Sequence, residues 1–545
     1  MLKRNPTPRV FADRSNPVPA VRTGRGNNAI AALLLVCLVA GCHGEATKSV
    51  SPKQTANVAV GSAANDEAIA AQVASFCGAC HVTPDPSHFP RAAWRDEVEQ
   101  GFHLYFQSDR EGLQVPIMAD VIRYYEDRAP VDVALPMASS GVDSGPLQFR
   151  QTDSPRVGGS PSIAHLNWTR LDAGGSEQLI VCDMKSGTVQ SATLDDSMIR
   201  LTTLATLNNP AHAEPCDLDG DGRIDLVVAD LGSFAPADHN HGRVVWLRKD
   251  DDDRGYTPIV LCDKLGRVAD VQAVDSDADG DVDLMVAEFG WRKTGRLLLL
   301  ENLGGSNPPQ FEQSTLDPRH GAIHVVIADL NQDGRPDATT LFSQDHETIT
   351  TFFNLGQNRF EARPIFAADR PSFGSSGISP VDLDRDGDTD FLYTNGDMFD
   401  DYLLRDYHAV HWMENLGENR WQHRKLAELP GVHRALAADL DLDGDLDIVA
   451  CSLIPAKVIK MYESIQLDSL IWLEQTSTGV FERHVLEQGK CRHATMAVAD
   501  LDQDGDMDLA VGNYSTFVSQ DLPALNIWWN LGAGNDSNSG AAPRQ

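Results

Sequence analysis

The sequence predicts a mainly β protein, a seven-bladed β-propeller preceded by a small all-α domain. Three observations predict it. A pattern D-x-[DN]-x-D-G-x-x-D occurs six times, with first residues Asp217, Asp275, Asp329, Asp382, Asp439 and Asp500. Each copy lies between two apolar runs of strand type, such as His324-Val325-Val326-Ile327-Ala328 before one loop and Asp447-Ile448-Val449-Ala450 leaving another. A third strand then ends in aromatic residues and a turn, as in His411-Trp412-Met413-Glu414-Asn415-Leu416-Gly417, and a fourth begins near a Phe or Trp, as in Phe481-Glu482-Arg483-His484. Four strands in a repeat of this length make one propeller blade.

Acidic or amide side chains at alternate positions converge only if the backbone curls around one point. The glycine after the third (Gly222, Gly280, Gly334, Gly387, Gly444, Gly505) permits that curl, because it has no Cβ to oppose a positive φ. Hard oxygen ligands of this kind suit Ca²⁺. The expected ligands are Asp217, Asp219, Asp221 and Asp225 in the first loop, and Asp275, Asp277, Asp279 and Asp283 in the second. Asp329, Asn331, Asp333 and Asp337 form the third set, and Asp382, Asp384, Asp386 and Asp390 the fourth. Asp439, Asp441, Asp443 and Asp447 form the fifth, and Asp500, Asp502, Asp504 and Asp508 the sixth, the last Asp of each set closing the ring. An EF-hand would place Glu at loop position 12 between helices; here that position is Val228, Val286 or Thr340 inside β-rich runs. A solvated acidic turn would explain one copy but not six.

Residues 162–207 repeat the strand order without the Asp triplet and count as a seventh, metal-free blade. The last repeat stops at Gly532 after three strands. Its missing outer strand is supplied by Leu147-Gln148-Phe149-Arg150, which closes the ring and removes an exposed edge. The propeller is therefore placed at 145–534, followed by a disordered tail at 535–545.

The chain has 545 residues and a formal net charge of −34, much of it in the six loops. Such a surface makes nucleic acid a poor partner. Nine cysteines are too few for a disulfide scaffold. Cys182 with Cys216 and Cys451 with Cys491 could pair across neighbouring blades.

Residues 1–41 have a basic start and an apolar run, Ala29 to Val39, short for a membrane span and suited to a signal peptide. The run ends Leu38-Val39-Ala40-Gly41-Cys42, which resembles the lipobox of bacterial lipoproteins. That resemblance implies acylation of Cys42, export, and a membrane anchor facing the periplasm or cell surface. Residues 42–65, rich in Ala, Ser, Thr and Gly, read as a flexible tether.

A helix bearing Ile69, Val73 and Phe76 on one face then runs into Cys77-Gly78-Ala79-Cys80-His81. C-x-x-C-H is the c-type haem attachment signature. Two thiols one helical turn apart reach the two vinyl groups of one haem, and the next residue offers its imidazole to the iron. A thioredoxin-like pair or half a zinc site are the rivals, but no βαβ pattern or second Cys pair accompanies it. The loop from Val82 to Val115 leads to a helix at 116–127. A helix pair beside a haem resembles small class I cytochromes c, which usually carry a Met in the loop before the last helix. Met118, at the helix start, and His103, in the loop, are the candidates for the distal position, with water or vacancy as the third. The haem domain is placed at 66–130 and a linker at 131–144.

The repeats resemble the FG-GAP/VCBS family, which implies integrin-α-like propellers with calcium loops. The whole chain, with Tyr124-Tyr125-Glu126-x-x-Ala129-Pro130 between the two parts, resembles bacterial cytochrome-c/FG-GAP lipoproteins. That relationship implies haem c and Ca²⁺ and names no substrate. The expected function is electron transfer, with the propeller docking a redox partner protein or polysaccharide. The alternatives are an oxidoreductase propeller, acting for example on a carbohydrate and feeding the haem, and an adhesion or polymer-binding protein.

Histidines recur on the strand before the Asp loop: His165, His212, His324, His433 and His493. Alternation places His212, His324 and His493 on one strand face. They form either a channel-mouth site for metal or substrate, or packed channel lining. The loops 231–241, 395–407, 452–468 and 513–525 are a second candidate surface.

Overall fold

The computed structural model describes residues 63–533, apart from 109, 157–158, 173, 196–197, 252–254, 306 and 516–521. The stretch expected to be a signal peptide, Cys42, nearly all of the expected tether and the tail lie outside the described residues. No helix among the described residues is long and apolar enough to cross a membrane.

Seven four-stranded antiparallel sheets follow one another along the chain. Their inner strands are Ile163–Arg170, Pro210–Cys216, Val268–Val274, Ala322–Ala328, Gly377–Val381, Val432–Ala438 and His493–Ala499. Each inner strand packs against the next, and the first packs against the seventh, so the sheets form a closed ring. Every blade interface has its own apolar cluster. Ile163, Leu166 and Leu179 of blade 1 meet Leu525, Ile527 and Trp529 of blade 7, and Leu392 and Trp412 of blade 5 meet Ala435 and Ile448 of blade 6. The second strands are buried along their whole length, as in Asp225–Asp230 and Asp447–Ser452. That is why they read as continuous rather than alternating apolar runs.

Closure takes the predicted form. Leu147–Asp153 pairs antiparallel with Leu525–Ala533 and completes blade 7. The end of the strand is fastened to its partner by side chains: Trp529 Nε1 donates to Thr152 Oγ1 at 3.0 Å, and the Asn526 amide to Asp153 Oδ1 at 2.6 Å.

The helical domain holds three helices, not the expected pair: α1 (Ala63–Cys77), α2 (Trp94–Gln107) and α3 (Met118–Arg128). The stretch expected to be a loop from Val82 to Val115 thus contains α2, with Trp94, Val98 and Phe102 on its buried face. His103 therefore lies on a helix, not in a loop. Those residues join Val73, Phe76, Val121, Ile122 and Tyr125 in one core, where Trp94 stacks on Tyr125 at 3.8 Å.

The cysteine pairings are not formed; all seven described cysteines are free thiols. Cys182 faces the apolar interface of blades 1 and 2, Cys451 that of blades 6 and 7, and Cys491 lies beneath a loop bearing the short helix α4 (Ala456–Met461), near Ser469. They act as small buried apolar residues.

Leu147, almost wholly buried, seats the closing strand against Leu440, Val449 and Trp472 of the neighbouring blade. Leu147→Ala is expected to lower the stability of the ring by about 2–5 kcal/mol, read as a shift of the urea unfolding midpoint; an unchanged midpoint would show that this strand does not close it.

Candidate functional site

The six Asp loops are built alike. In the first, the Asp217 carboxylate accepts from the Asp221 and Gly222 N–H groups at 3.0 and 2.8 Å, and the same wrap recurs in the third and sixth loops around Asp329 and Asp500. The wrap needs two left-handed residues. The glycines at position 6 have φ of 83–104°, with open space where a Cβ would stand, so conformation rather than room demands glycine. Position 4 is left-handed too, at φ 57–69°, although five of its six occupants (Ala278, Gln332, Arg385, Leu442, Gln503) carry a Cβ.

Side-chain ligand atoms converge within 4.8 Å at Asp217/Asp219/Asp225, Asp275/Asp277/Asp279, Asp382/Asp384/Asp386, Asp439/Asp441/Asp443 and Asp500/Asp502/Asp504. Several of their oxygens are buried with no hydrogen-bond partner: Asp219, Asp277, Asp382, Asp384 and Asp439 Oδ1. Burial, then the adjacent carboxylates, pushes the Asp277 and Asp384 carboxyls up. Crowded, orphaned carboxylate oxygens are the donor set a hard cation takes. In the first loop a guanidinium already meets part of this charge: Arg248 Nε is 2.8 Å from Asp219 Oδ2.

The ninth-position Asp does something the sequence reading missed. It was expected to close the ligand ring, and only Asp225 joins a cluster. In all six loops this residue is at most 1% exposed, and its two oxygens accept two backbone N–H groups. One belongs to position 2 of its own loop and the other to the end of the third strand. For Asp447 the donors are Leu440 N at 3.1 Å and Gln475 N at 2.8 Å; for Asp508 they are Leu501 N at 3.0 Å and Asn530 N at 2.7 Å. Burial pushes Asp447 up to about 6 and Asp508 to about 7, against the pull of those bonds. The third-strand turn completes the clamp. In Asn415-Leu416-Gly417 and Asn530-Leu531-Gly532 the Asn carbonyl oxygen accepts from the Gly N–H at 3.1 Å. The Asn415 amide donates back to its own loop, to Thr389 O at 3.3 Å, and the Asn530 amide donates across to the loop of the neighbouring blade, to Leu440 O at 2.8 Å.

The opposite end of the ring carries the helical domain. Arg405, in the blade 5 connection after the second strand, donates to His88 O at 2.9 Å, lies 4.6 Å over the Phe89 ring and pairs with Asp401. Leu403 packs on the helical core. Burial, then Asp401, pushes the Glu97 carboxyl up to about 7 at this junction.

Cys77 ends α1 and Cys80 follows one turn later. Burial pushes the Cys77 thiol up. His81 Nδ1 lies 2.7 Å from Val82 O. A carbonyl only accepts, so Nδ1 carries a proton, and in the neutral ring the lone pair is on Nε2. Arg110 brings the α2–α3 connection alongside, its Nη1 2.8 Å from Cys80 Sγ. This domain exposes Val82, Phe106, Val115, Ile117 and Met118. Of the two distal candidates, His103 Nε2 is 2.9 Å from the Gln107 amide, and Met118 begins α3 among the exposed apolar residues.

The channel histidines are only partly as expected. Six of the seven inner strands carry a β-bulge near their start, between Pro210 and His212 in blade 2 and between His493 and Thr495 in blade 7. The bulge breaks simple alternation, so His493 turns into the blade and meets Glu487 Oε2 at 2.6 Å, while Thr495 lines the channel. His165, His212, Asp270, His324 and Arg434 occupy equivalent places around the central cavity of 480 Å³. Asp270 and Arg434 escaped the sequence reading because a search for repeated histidines passes over equivalent positions with other chemistry; counting five residues back from each first loop Asp finds them. His212 Nδ1 is 3.2 Å from Asp270 Oδ1, and His324 Nδ1 is 3.6 Å from Asp270 Oδ2. Burial alone would raise the Asp270 carboxyl, but His212, His324 and the Val325 N–H hold it well below the usual carboxylate range. Burial opposes a proton on His212, yet Asp270 and Glu214 outweigh it and raise its pKa; burial, then His212, holds His165 well below the usual imidazole range.

These features define a seven-bladed β-propeller whose inner turns are Asp-rich loops. A family model described as FG-GAP-like repeat matches residues 277–340 and 394–450. The chain thus carries FG-GAP-like repeats, folded into a propeller binding module. Crystal structures of BBS1N in complex with ARL6DN, soaked with lead or with mercury, are similar to it at 10% and 11% identity and TM-scores of 0.43 and 0.44. Each alignment covers 73% of this chain and 99% of the other. No curated protein matches the chain.

The clamp and the ligand set separate by mutation. Asp447→Asn is expected to lower the unfolding free energy by about 1–3 kcal/mol with or without Ca²⁺, whereas Asp441→Asn reduces only the Ca²⁺-dependent increment. Calorimetry in Ca²⁺ and in chelator checks this; Ca²⁺-dependent losses in both variants would contradict the clamp.

Proposed function

We propose that the protein is an exported, lipid-anchored electron carrier whose propeller is the docking module. The observation that carries the reading is the end of α1, where two thiols one turn apart are followed by an imidazole with a free Nε2 beside exposed apolar side chains. A haem c bound there would supply one-electron redox chemistry. Cys77 and Cys80 would hold it by thioethers and His81 would ligate the iron. Val82, Phe106, Val115 and Ile117 would cover its apolar faces and lower its access to water. Met118 is the preferred distal ligand, because His103 is already engaged by Gln107. Arg405 and Leu403 hold this domain to blade 5, so a partner docked on that end of the ring lies beside it. Ca²⁺ in the Asp loops offsets part of the net negative charge and stiffens the other end. The anchor is a lipid on Cys42, and the partner is a redox protein or a polysaccharide. The channel cavity favours a second reading, an oxidoreductase propeller that delivers electrons to the same haem.

The test is the optical spectrum of the exported protein. A haem band that survives acid–acetone extraction, is lost in Cys77→Ala/Cys80→Ala, and shows the ferric near-infrared signature of Met ligation is expected. A colourless mature protein would overturn the reading.

A further inference from the structure

Blades 1, 2 and 4 each place one imidazole at the same height of the inner strand, and blade 3 places a carboxylate between two of them. Asp270 is not exposed to solvent in the ordinary way; it is 2% exposed and takes the Val325 N–H at 2.9 Å and the Gln272 amide at 3.0 Å. Those bonds fix its orientation, with one oxygen turned to His212 Nδ1 and the other to His324 Nδ1. A carboxylate on Nδ1 keeps a proton there, so the neutral ring presents Nε2 to a metal. This is the way a carboxylate orients metal-ligating histidines. His165, whose ring centroid is 4.0 Å from that of His212, has its Nε2 buried without a hydrogen-bond partner. Glu214 Oε2 stands 3.5 Å from His212 Nε2 and also favours a proton there, which a metal must displace.

We propose that the propeller channel is a binding site for one borderline divalent transition-metal cation of the Zn²⁺ type, ligated by His165, His212 and His324 with Asp270 as positioning residue. Imidazole nitrogen selects such ions over Ca²⁺, which the all-oxygen Asp loops suit. The two classes of site therefore do not compete. Outside the Asp loops, no three acidic, His or Cys ligand atoms among the described residues lie within 4.8 Å, so the ion draws the three rings inward by side-chain rotation. The 480 Å³ cavity leaves room for that movement and for a further ligand on the ion. Arg434, at the equivalent place in blade 6, opposes the cation and suits an anionic further ligand.

The experiment uses the full mature chain in millimolar Ca²⁺, so that the Asp loops are saturated. Excess Zn²⁺ is added, unbound ion is removed by gel filtration, and zinc per chain is read by elemental mass spectrometry. One retained Zn²⁺ per chain is expected, unchanged in His346→Ala, which removes a histidine outside the channel. His165→Gln/His324→Gln abolishes retention, and Asp270→Asn weakens it about 10- to 100-fold. An unchanged circular dichroism spectrum and Ca²⁺-dependent melting temperature show that each variant still forms the ring; Asp270→Gln serves if Asp270→Asn does not fold. Absence of retained zinc with the channel intact, or undiminished retention in the double histidine variant, overturns the proposal. Every arm is run in a Cys77→Ala/Cys80→Ala background, so neither outcome depends on what the helical domain binds.

Discussion

In six of the seven blades a buried carboxylate that accepts two backbone N–H groups holds the blade together. At the ninth loop position it joins the turn between the first and second strands to the end of the third, as Asp390 does with Leu383 N at 3.3 Å and Asn415 N at 2.7 Å. In the fourth loop the indole of Trp412 adds a third donor at 2.9 Å. Loop geometry follows from this bond. With position 9 fixed and position 2 bound to it, the intervening residues must turn tightly. They do so with left-handed residues at positions 4 and 6. Position 2 is then carried inward, and Leu218, Leu383, Leu440 and Leu501 are all buried. A hydrogen bond to a charged acceptor contributes more than a neutral one, and leaving its donors unpaired in the interior costs more still.

This division of labour separates the two ends of the ring. In an antiparallel meander the connection between strands one and two lies opposite that between strands two and three. The Asp loops therefore occupy one end. The helical domain, held by Arg405, and the bulged starts of the inner strands, with His212, Asp270 and His324, belong to the other. Structural charge sits at one face and chemistry-bearing groups at the face where the connections are long and varied.

Much of this was legible in the sequence because it is repeated. Six Asp loops together with the loop-free repeat at 162–207 gave the blade count of seven, and the incomplete last repeat pointed to Leu147–Arg150 as the closing strand. The amide-binding role of Asp225 and its equivalents was not legible, since a motif does not show whether an Asp carboxylate meets a cation, backbone amides or both. The bulge before the channel residues leaves no mark in the pattern, which is why strict alternation misplaced His493. Helix α2 was readable from Trp94, Val98 and Phe102 at four-residue spacing, but glycine at position 101 and the polar residues between them obscured it. The cysteine pairing failed for a physical reason: Cys182 and Cys451 each face an apolar interface, and proximity along adjacent strands does not aim two Cβ atoms at one another.

The clamp can be measured directly by native-state hydrogen exchange. The clamp requires that the amides of Leu440, Gln475, Leu501 and Asn530 exchange only through global unfolding, and remain among the slowest in the chain after Ca²⁺ is removed. Rapid exchange of these amides in chelator, while the neighbouring second strands stay protected, would show that the cation and not the buried carboxylate holds the blades, and would contradict it.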